Sequence, residues 1–146
     1  MRLSASDARE RFARARVARL ATVGADGRPH LVPVVFALHE ETVHTAVDEA
    51  KPKATMRLRR LANIAANPAV ALLADHYDED WGALWWARAD GLARVIDPGE
   101  PEAARARELL AGRYEQYREA PPPGPVIAVA VERWSGWSAH GGAARS

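Results

Sequence analysis

The strongest constraint on the fold is a run of three strand-like segments separated by short polar turns. Residues 17–23 alternate between inward and outward types, and residues 29–38 follow after the turn at 24–27. That turn reads Gly-Ala-Asp-Gly, whose glycines tolerate positive φ, so a tight hairpin is predicted. A second polar turn at 39–41 leads into a strand at 42–47. The pattern predicts a meander of three consecutive antiparallel strands.

The remaining segments favour a barrel. A first helix is capped by Ser4 or Ser6 and runs to about residue 16. The other predicted elements are a helix over 55–66, a strand at 69–74 buried on both faces, a long strand over 84–96 interrupted near Asp90-Gly91, a helix from about 98–101 to at least Leu110, and a last strand at 126–131. No strand-helix-strand rhythm recurs, which favours a closed or nearly closed antiparallel barrel over a doubly wound parallel sheet.

We therefore predict a mainly β protein with peripheral helices. One domain spans residues 1–146, with the helix at about 1–16 and a loose tail at about 139–146. A chain of 146 residues with 48% hydrophobic side chains and a net charge of +1 is typical of such a globular domain. The near-neutral charge balance argues against a nucleic-acid partner.

Composition also limits chemistry and location. The chain has no cysteine, which excludes disulfides, thiolate catalysis and cysteine metal sites. It has no apolar run of membrane length and no apolar core of a signal peptide near its first residue. We expect a cytoplasmic protein without a membrane span.

The only two lysines, Lys51 and Lys53, stand between a predicted strand and a predicted helix, while all other basic residues are arginines. Lysine is a compact, hydrated point charge that suits a phosphate. Arg57, Arg59 and Arg60 follow, and a helix start adds free backbone N–H groups. A phosphate clamp and a solvated basic loop both account for this spacing.

No side-chain pattern identifies a catalytic centre. The chain lacks a Gly-x-Ser-x-Gly elbow, a Walker loop and a Rossmann glycine fingerprint. The acidic segment 75–80 with His76 could bind a hard metal ion or form a polar turn after a strand. Its spacing matches no regular calcium loop and a lone histidine is an incomplete metal site, so no metal site is predicted.

Two adjacent tryptophans, Trp85 and Trp86, must point to opposite faces of their predicted strand. One can fill the barrel, while the other meets a second layer, a ligand or a partner subunit. Packing in a core or dimer interface and stacking against a flat cofactor both remain open, and both can occur at a subunit interface. Trp86 is the candidate for the cofactor side.

Several segments together resemble a known superfamily. They are the runs 19–23, 26–30 and 33–36, the stretches 45–48 and 51–53, the Arg-Leu-x-x-Leu-x-Asn-Ile helix through Asn67-Pro68, and residues 89–93. This combination resembles the pyridoxamine 5′-phosphate oxidase-like split β-barrel superfamily. The segments 75–86 and 132–137 are similar to an actinobacterial subgroup that uses the deazaflavin coenzyme F-420.

The resemblance implies a homodimer with two active sites at the subunit interface. It implies that Lys51, Lys53 and Arg57 hold the phosphate of a flavin or deazaflavin. The second strand of the family lays its backbone along the tricyclic ring, and the third strand flanks the ribityl chain. These roles transfer to Pro33, Val34, Val35 and Phe36 on the second strand, and to Thr45, Ala46 and Val47 on the third.

The resemblance also implies hydride transfer between reduced F-420 and a small unsaturated or quinone-like acceptor. F-420 continues beyond its phosphate into a polyglutamate tail, for which Arg59, Arg60 and Arg88 are candidate partners. His44, Tyr77 and water are all open as proton donors. An FMN enzyme of the same fold, and a non-catalytic barrel that binds F-420 or haem, are the alternatives. Oxidation of vitamin B6 is disfavoured, because residues 133–137 do not reproduce the substrate-phosphate pattern of the oxidases proper.

Overall fold

The protein, described here by a computed structural model, is a single antiparallel sheet with helices packed around it. The structure describes residues 1–47 and 54–140, with the backbone alone for 54–58. The strands are β1 Ala18–Val23, β2 Pro29–Val34, β3 Ala37–His39, β4 Thr42–Ala46, β5 Ala69–His76, β6 Trp85–Ile96 and β7 Val126–Ser138. The helices are α1 Ala5–Arg14, α2 Ala54–Ala66, α3 Pro101–Arg113 and α4 Glu115–Glu119, with a 3-10 turn at Trp81–Ala83.

Both antiparallel pairings of the predicted meander are confirmed, β1 with β2 and β3 with β4, but its middle strand is not continuous. The strand order is β2-β1-β5-β6-β7-β4-β3, so β2 and β3 occupy opposite edges of the seven-stranded sheet. The segment 29–38, predicted as one strand, is broken at Val35 and Phe36. The apolar alternation continues through this break, because Val32, Val34 and Phe36 are all buried. The sequence pattern therefore contains no signal for the change of sheet edge.

That break closes the sheet into a barrel. Seven strands laid flat would hold the two edge strands about 29 Å apart. Val34 and Ala37, which end β2 and begin β3, are only three residues apart, so their Cα atoms lie within about 11 Å. The sheet must curl until its two edge strands approach each other at this link. The mainly β split-barrel prediction is confirmed in this respect.

Apolar side chains from every long strand fill the interior of the barrel. They are Ala18, Leu20, Val32, Val34, Val43, Val47, Val70, Leu72, Ala87, Ala89, Ile127 and Val129. The strand β5 was predicted to be buried on both faces, which is wrong. Val70, Leu72 and Ala74 are buried, whereas the alternate positions Ala71 and Leu73 keep partial exposure. The alternate residues of this continuous apolar run thus face the interior of the barrel and its outer surface.

The helix α1 closes one end of the barrel. Ser4 is its N-cap and accepts a hydrogen bond from the Asp7 N–H at 3.1 Å, as one of the two predicted caps. Phe12 is fully buried, with its ring centroid 4.7 Å from Phe36 and 5.3 Å from Trp134. Because α1 reaches both the barrel-closing link and β7, it joins the two halves of the sheet.

The longest strands carry one irregularity. The register of β6 against β7 shifts between Asp90 and Gly91, where the sequence predicted an interruption. An added Cβ at Gly91 would lie 2.2 Å from the Ala130 carbonyl oxygen. The strand β7 extends to Ser138, seven residues beyond the predicted end at 131, and α4 was not predicted. Of the helices that the described chain contains, none is both long and apolar enough to cross a membrane.

The close approach at Gly91 yields a stability prediction. Gly91→Ala places its methyl group against backbone that cannot rotate away, so we expect the free energy of unfolding to fall by roughly 1–3 kcal/mol. Gly99→Ala is the matched control, since no atom lies within 4 Å of the added Cβ there. Urea denaturation of both variants measures the difference. Equal stability of the two variants would contradict the described register.

Candidate functional site

The two-residue link between β2 and β3 is held by three side chains, one from β4 and two from the end of α3. The Thr45 hydroxyl donates to the Val35 carbonyl at 2.8 Å. Arg113 donates to the Phe36 carbonyl at 2.8 Å, and the Tyr114 hydroxyl accepts from the Phe36 N–H at 3.2 Å. A sheet corner leaves backbone groups without strand partners, so these bonds remove a burial cost at the link.

Arg113 and Tyr114 were not predicted as important residues. Arg113 also donates to the Ala15 carbonyl at 2.7 Å, and its guanidinium lies 5.0 Å from the Phe36 ring centroid. The two residues end α3, far along the chain from the link they hold. Only the tertiary fold brings them there, so no local sequence signal could have identified them.

The strand β2 presents an edge with unused backbone groups. Within the described chain it pairs with β1 alone, from Ala18 opposite Val34 to Val23 opposite Pro29. An edge strand offers a row of N–H and C=O groups to whatever lies beside it. Pro33 is exposed and Val35 is half-buried, so this edge is accessible next to the link.

The other predicted ring and ribityl contacts are more enclosed. Phe36 is fully buried and both of its backbone groups are bonded within the chain. The side chains of Thr45, Ala46 and Val47 are at most 6% exposed. In the single chain the side chains of these four residues are therefore enclosed and do not form an open surface.

The predicted phosphate residues lie largely outside the described part of the chain. Lys51 and Lys53 are not among the described residues, and Arg57 is described by its backbone in the first turns of α2. Lys53 directly precedes Ala54, the first residue of that helix. The structure thus gives the position of the helix start and leaves the lysine side chains as a sequence-based prediction.

Trp85 and Trp86 point to opposite faces, as predicted. Trp85 packs against the core and lies 5.6 Å from the Arg11 guanidinium. Trp86 faces outward opposite Trp137 on β7, with the Arg88 guanidinium 5.7 Å from its ring centroid. Trp86, Trp137 and Arg88 line an outer cavity of about 460 Å³, which therefore combines indole rings with cationic side chains.

The three arginines predicted for a tail do not meet in one place. Arg88 lines the outer cavity beside Trp86. Arg59 instead lines a second cavity, of about 410 Å³, with Arg28 and His30. Arg60 lies near this second cavity, because its charge acts on His30. The structure brings Arg59 and Arg60 together and separates both from Arg88.

Of the two candidate proton donors in the chain, His44 is buried against another side chain and Tyr77 is exposed to solvent. His44 is 5% exposed, and its Nε2 lies 3.1 Å from Glu102 on α3. Arg94 donates to the same carboxylate at 2.8 Å. Tyr77 is 70% exposed. His44 is thus engaged in packing α3 against β4, on the opposite face of β4 from Thr45.

The acidic segment forms a structured turn. Asp78 accepts a hydrogen bond from the Asp80 N–H at 2.8 Å, and Asp80 accepts from the Gly82 N–H at 2.9 Å. His76 lies 2.8 Å from Asp78. Among residues 1–47 and 54–140, no group of three or more His, Cys, Asp or Glu side chains is arranged to hold a metal ion.

The sheet and its helices match a family model over almost all of the described chain. Residues 5–138 match the model described as pyridoxamine 5′-phosphate oxidase. The match includes every strand and all four helices. The chain therefore belongs to the pyridoxamine 5′-phosphate oxidase family, in agreement with the resemblance drawn from its sequence.

Individual relatives share the fold or part of the sequence. A 5a,11a-dehydrotetracycline/5a,11a-dehydrooxytetracycline reductase from Streptomyces rimosus is 44% identical over 57 residues, which are 39% of this chain and 38% of the reductase. A FAD-binding protein from Mesorhizobium loti superposes with a TM-score of 0.72 at 18% identity, covering 93% of this chain and 95% of that one. HutZ, the heme storage protein from Vibrio cholerae, has a TM-score of 0.68 at 18% identity, covering 90% and 92%. The structural neighbours establish the fold.

The Glu102 contacts generate a pH prediction. The hydrogen bond from Arg94, and then the one with His44, lower the pKa of Glu102 below its ordinary value. The ionised carboxylate is thus favoured by folding, and its stabilisation is present above the unfolded-state pKa near 4.5 and is lost as the pH falls through the lower folded-state pKa. We expect Glu102→Gln to cost about 1 kcal/mol at pH 7 and progressively less below pH 4.5.

Urea unfolding between pH 3 and pH 7 measures this effect. Glu108→Gln, an exposed position on the same helix, is the matched control and should change stability little at any pH. A Glu102→Gln penalty that stays constant across the pH range would contradict the ion-pair account.

Proposed function

We propose that the protein is an F-420-dependent oxidoreductase that transfers a hydride between reduced F-420 and a small unsaturated or quinone-like acceptor. The observation that carries this proposal is the accessible edge of β2 beside the barrel-closing link, which pairs with no other strand of the described chain. Membership of an oxidase family supports the reaction class. The partial match to a reductase of dehydrotetracyclines, which are unsaturated polycyclic compounds, supports the kind of acceptor.

The β2 edge fits one side of a flat tricyclic ring. Such a ring has hydrogen-bonding groups along one edge and an apolar face, and the backbone of Pro33, Val34 and Val35 lies along it in this proposal. Pro33 offers only its carbonyl, because proline has no N–H, and Val35 offers its N–H, because its carbonyl already accepts from Thr45. Phe36 acts indirectly, because its bonds to Arg113 and Tyr114 hold the link in position. Thr45 fixes Val35 in the same way through its carbonyl.

Lys51, Lys53 and Arg57 hold the cofactor phosphate in this proposal. The start of α2 at Ala54 supports this role, because the first N–H groups of a helix and its positive dipole end favour an anion. Thr45, Ala46 and Val47 lead from the β2 edge toward that helix start and flank the ribityl chain. A phosphate at one end and a ring at the other fix the cofactor at two points.

The bound deazaflavin supplies the two-electron chemistry. The residues of the chain bind it, orient its ring against the substrate and exclude water, which places the catalytic contribution in positioning and electrostatics. Trp86 contributes an apolar wall on the outer face of the sheet, where it lies opposite Trp137. This arrangement requires no nucleophilic side chain.

A homodimer completes the proposed site. The outer face of β2, β1, β5, β6 and β7 carries apolar side chains that remain accessible in the single chain. Leu31 is 66% exposed and Trp137 is 39% exposed, while Leu73 and Trp86 keep partial exposure. We expect a second copy of the chain to bury this patch, which would explain why its exposed side chains are apolar. The partner subunit would then cover the cofactor from the outer side.

A flavin-binding protein of the same fold is the second candidate. The FAD-binding neighbour from Mesorhizobium loti favours it, because the two chains share the fold over more than nine tenths of their lengths. HutZ is the corresponding precedent for a haem-binding barrel. Haem at the β2 edge needs a histidine ligand there, whereas His44, the histidine on β4, is buried against Glu102. We therefore rank FMN or FAD ahead of haem as the alternative.

The phosphate assignment predicts the effect of removing the lysines. The double variant Lys51→Ala/Lys53→Ala should bind F-420 at least about tenfold more weakly, roughly 1.4 kcal/mol, with the dimer intact. The loss should shrink as salt is raised, since a screened phosphate gains less from the lysines. Fluorescence titration measures the affinity. Arg105→Ala, on the exposed face of α3, is the control, and equal affinities for the two variants would remove the lysines from the site.

The dimer proposal predicts that a charge on the outer face separates the subunits. Leu31→Glu should raise the dimer dissociation constant by about a hundredfold or more, because it buries an unpaired carboxylate in the interface. Ala104→Glu introduces the same charge on the exposed face of α3 and should leave the dimer unchanged. Sedimentation velocity distinguishes these outcomes. A monomeric wild-type protein, or a Leu31→Glu dimer of normal affinity, would refute the proposed interface.

A further inference from the structure

A second cavity lies at one end of the barrel, between the turn after β1 and the helix α2. Its volume is about 410 Å³, and Arg28, His30, Arg59 and Asn63 are among the residues that line it. Asn63 is held in place by a hydrogen bond of 3.1 Å to the buried Thr22 hydroxyl. An added Cβ at Gly24 would lie 2.5 Å from the Asn63 side-chain oxygen, so glycine is required for this close packing.

The surroundings of this cavity carry excess positive charge. Arg28 and Arg59 line it, and Arg60 acts on it from α2. Within residues 1–47 and 59–140 none of these three arginines forms an ion pair. The cavity contains one carboxylate, Asp26, which accepts a hydrogen bond from the Arg28 N–H at 3.0 Å. Among the described residues, the lining thus carries one carboxylate and two guanidinium groups, and the charge of Arg60 acts on His30 from nearby.

Two buried nitrogen atoms at or near the cavity have no hydrogen-bond partner among the residues that the structure describes. They are Nδ1 of His30, which lines the cavity, and Nε of Arg60, the next residue after Arg59 on α2. Burial, followed by the charges of Arg59 and Arg60, lowers the pKa of His30, and burial also lowers the pKa of Arg60. A neutral imidazole with one N–H can donate to an anion. A buried polar atom without a hydrogen-bond partner costs free energy, and so does a cluster of like charges. An anionic ligand lowers both costs by accepting hydrogen bonds and by neutralising charge.

We infer that the cavity lined by Arg28, His30, Arg59 and Asn63 is an anion site that binds a carboxylate or phosphate group. Arg28 and Arg59 supply guanidinium forks, which match both kinds of oxyanion. His30 and the Asn63 amide supply further hydrogen-bonding groups. All four of these residues belong to the described part of the chain, and the inference does not depend on the cofactor assignment above.

The position of the cavity suggests one source for the anion. Arg59 and Asn63 lie five and nine residues after the start of α2, which corresponds to about 7.5 Å and 13.5 Å along the helix. A peptide chain covers that range with about two to four residues. If the helix start holds the phosphate of F-420, which rests on the proposed function, glutamate carboxylates of its tail reach this cavity. A free carboxylate or phosphate ion is the other source.

NMR of the His30 imidazole tests the inference without any activity measurement. An anion beside the ring offsets the charges of Arg59 and Arg60, so we expect binding to raise the pKa of His30 and to shift its ring protons saturably. The probes are inorganic phosphate, citrate, and F-420 carrying either one or five glutamates. His30→Gln assigns the resonance among the five histidines of the chain. We expect the response to weaken at least tenfold in Arg59→Gln and in Arg28→Gln, and to persist in Arg105→Gln.

The probes separate the two sources of the anion. A response to phosphate or citrate supports a site for a free anion. A response to F-420 with the long tail alone supports a tail site. No response to any probe, or a response that Arg28→Gln and Arg59→Gln leave intact, overturns the inference. Arg28 is exposed, so its variant keeps the test valid if Arg59→Gln fails to fold.

The same data distinguish this inference from the proposed function. If F-420 fails to bind while phosphate titrates His30, the anion site stands and the cofactor assignment falls. If F-420 binds with an affinity independent of tail length and of Arg59, and no free anion affects His30, the cofactor assignment stands and the anion site falls.

Discussion

The structure depends on one short link, Val35-Phe36, which joins the two edge strands of a seven-stranded sheet. A link of two residues is too short to span the distance between the edges of a flat seven-stranded sheet, so the sheet must curl into a barrel. Its backbone cannot pair as a strand, and Thr45, Arg113 and Tyr114 supply the missing hydrogen bonds. The same corner leaves β2 with one unpaired edge, which is where the proposed cofactor site lies.

Much of the fold follows from local sequence patterns, and the closure of the barrel does not. The β1–β2 hairpin, the Ser4 cap and the irregularity at Gly91 each have a residue that signals them. Alternation predicted extended chain from 29 to 38 but could not reveal that its two halves belong to opposite edges. Which strands pair is decided by packing between distant segments, and Phe36 obeys the inward pattern of β2 while contacting α1.

The candidate site likewise contains some residues that the sequence signals and others that only the tertiary structure reveals. Its lysines stand out in the sequence because of their rarity, and the Trp85-Trp86 pair because adjacent strand residues must face opposite sides. Arg113 and Tyr114 carry no such signal, since their roles arise where α3 ends against the link. The anion cavity is also a tertiary feature, because His30 follows the first hairpin while Arg59 belongs to α2. The sequence identified Arg59 only as a candidate partner for an anionic tail, and the fold places it beside Arg28 and His30.

The central claim is that the β2 edge and the start of α2 together bind a deazaflavin. Parallel fluorescence titrations with oxidised F-420 and with FMN, following ligand emission and quenching of the five tryptophans, test it most directly. The account predicts micromolar or tighter binding of F-420, roughly −8 kcal/mol or stronger, with weaker binding of FMN. Preference for FMN, or binding of neither ligand, would contradict it.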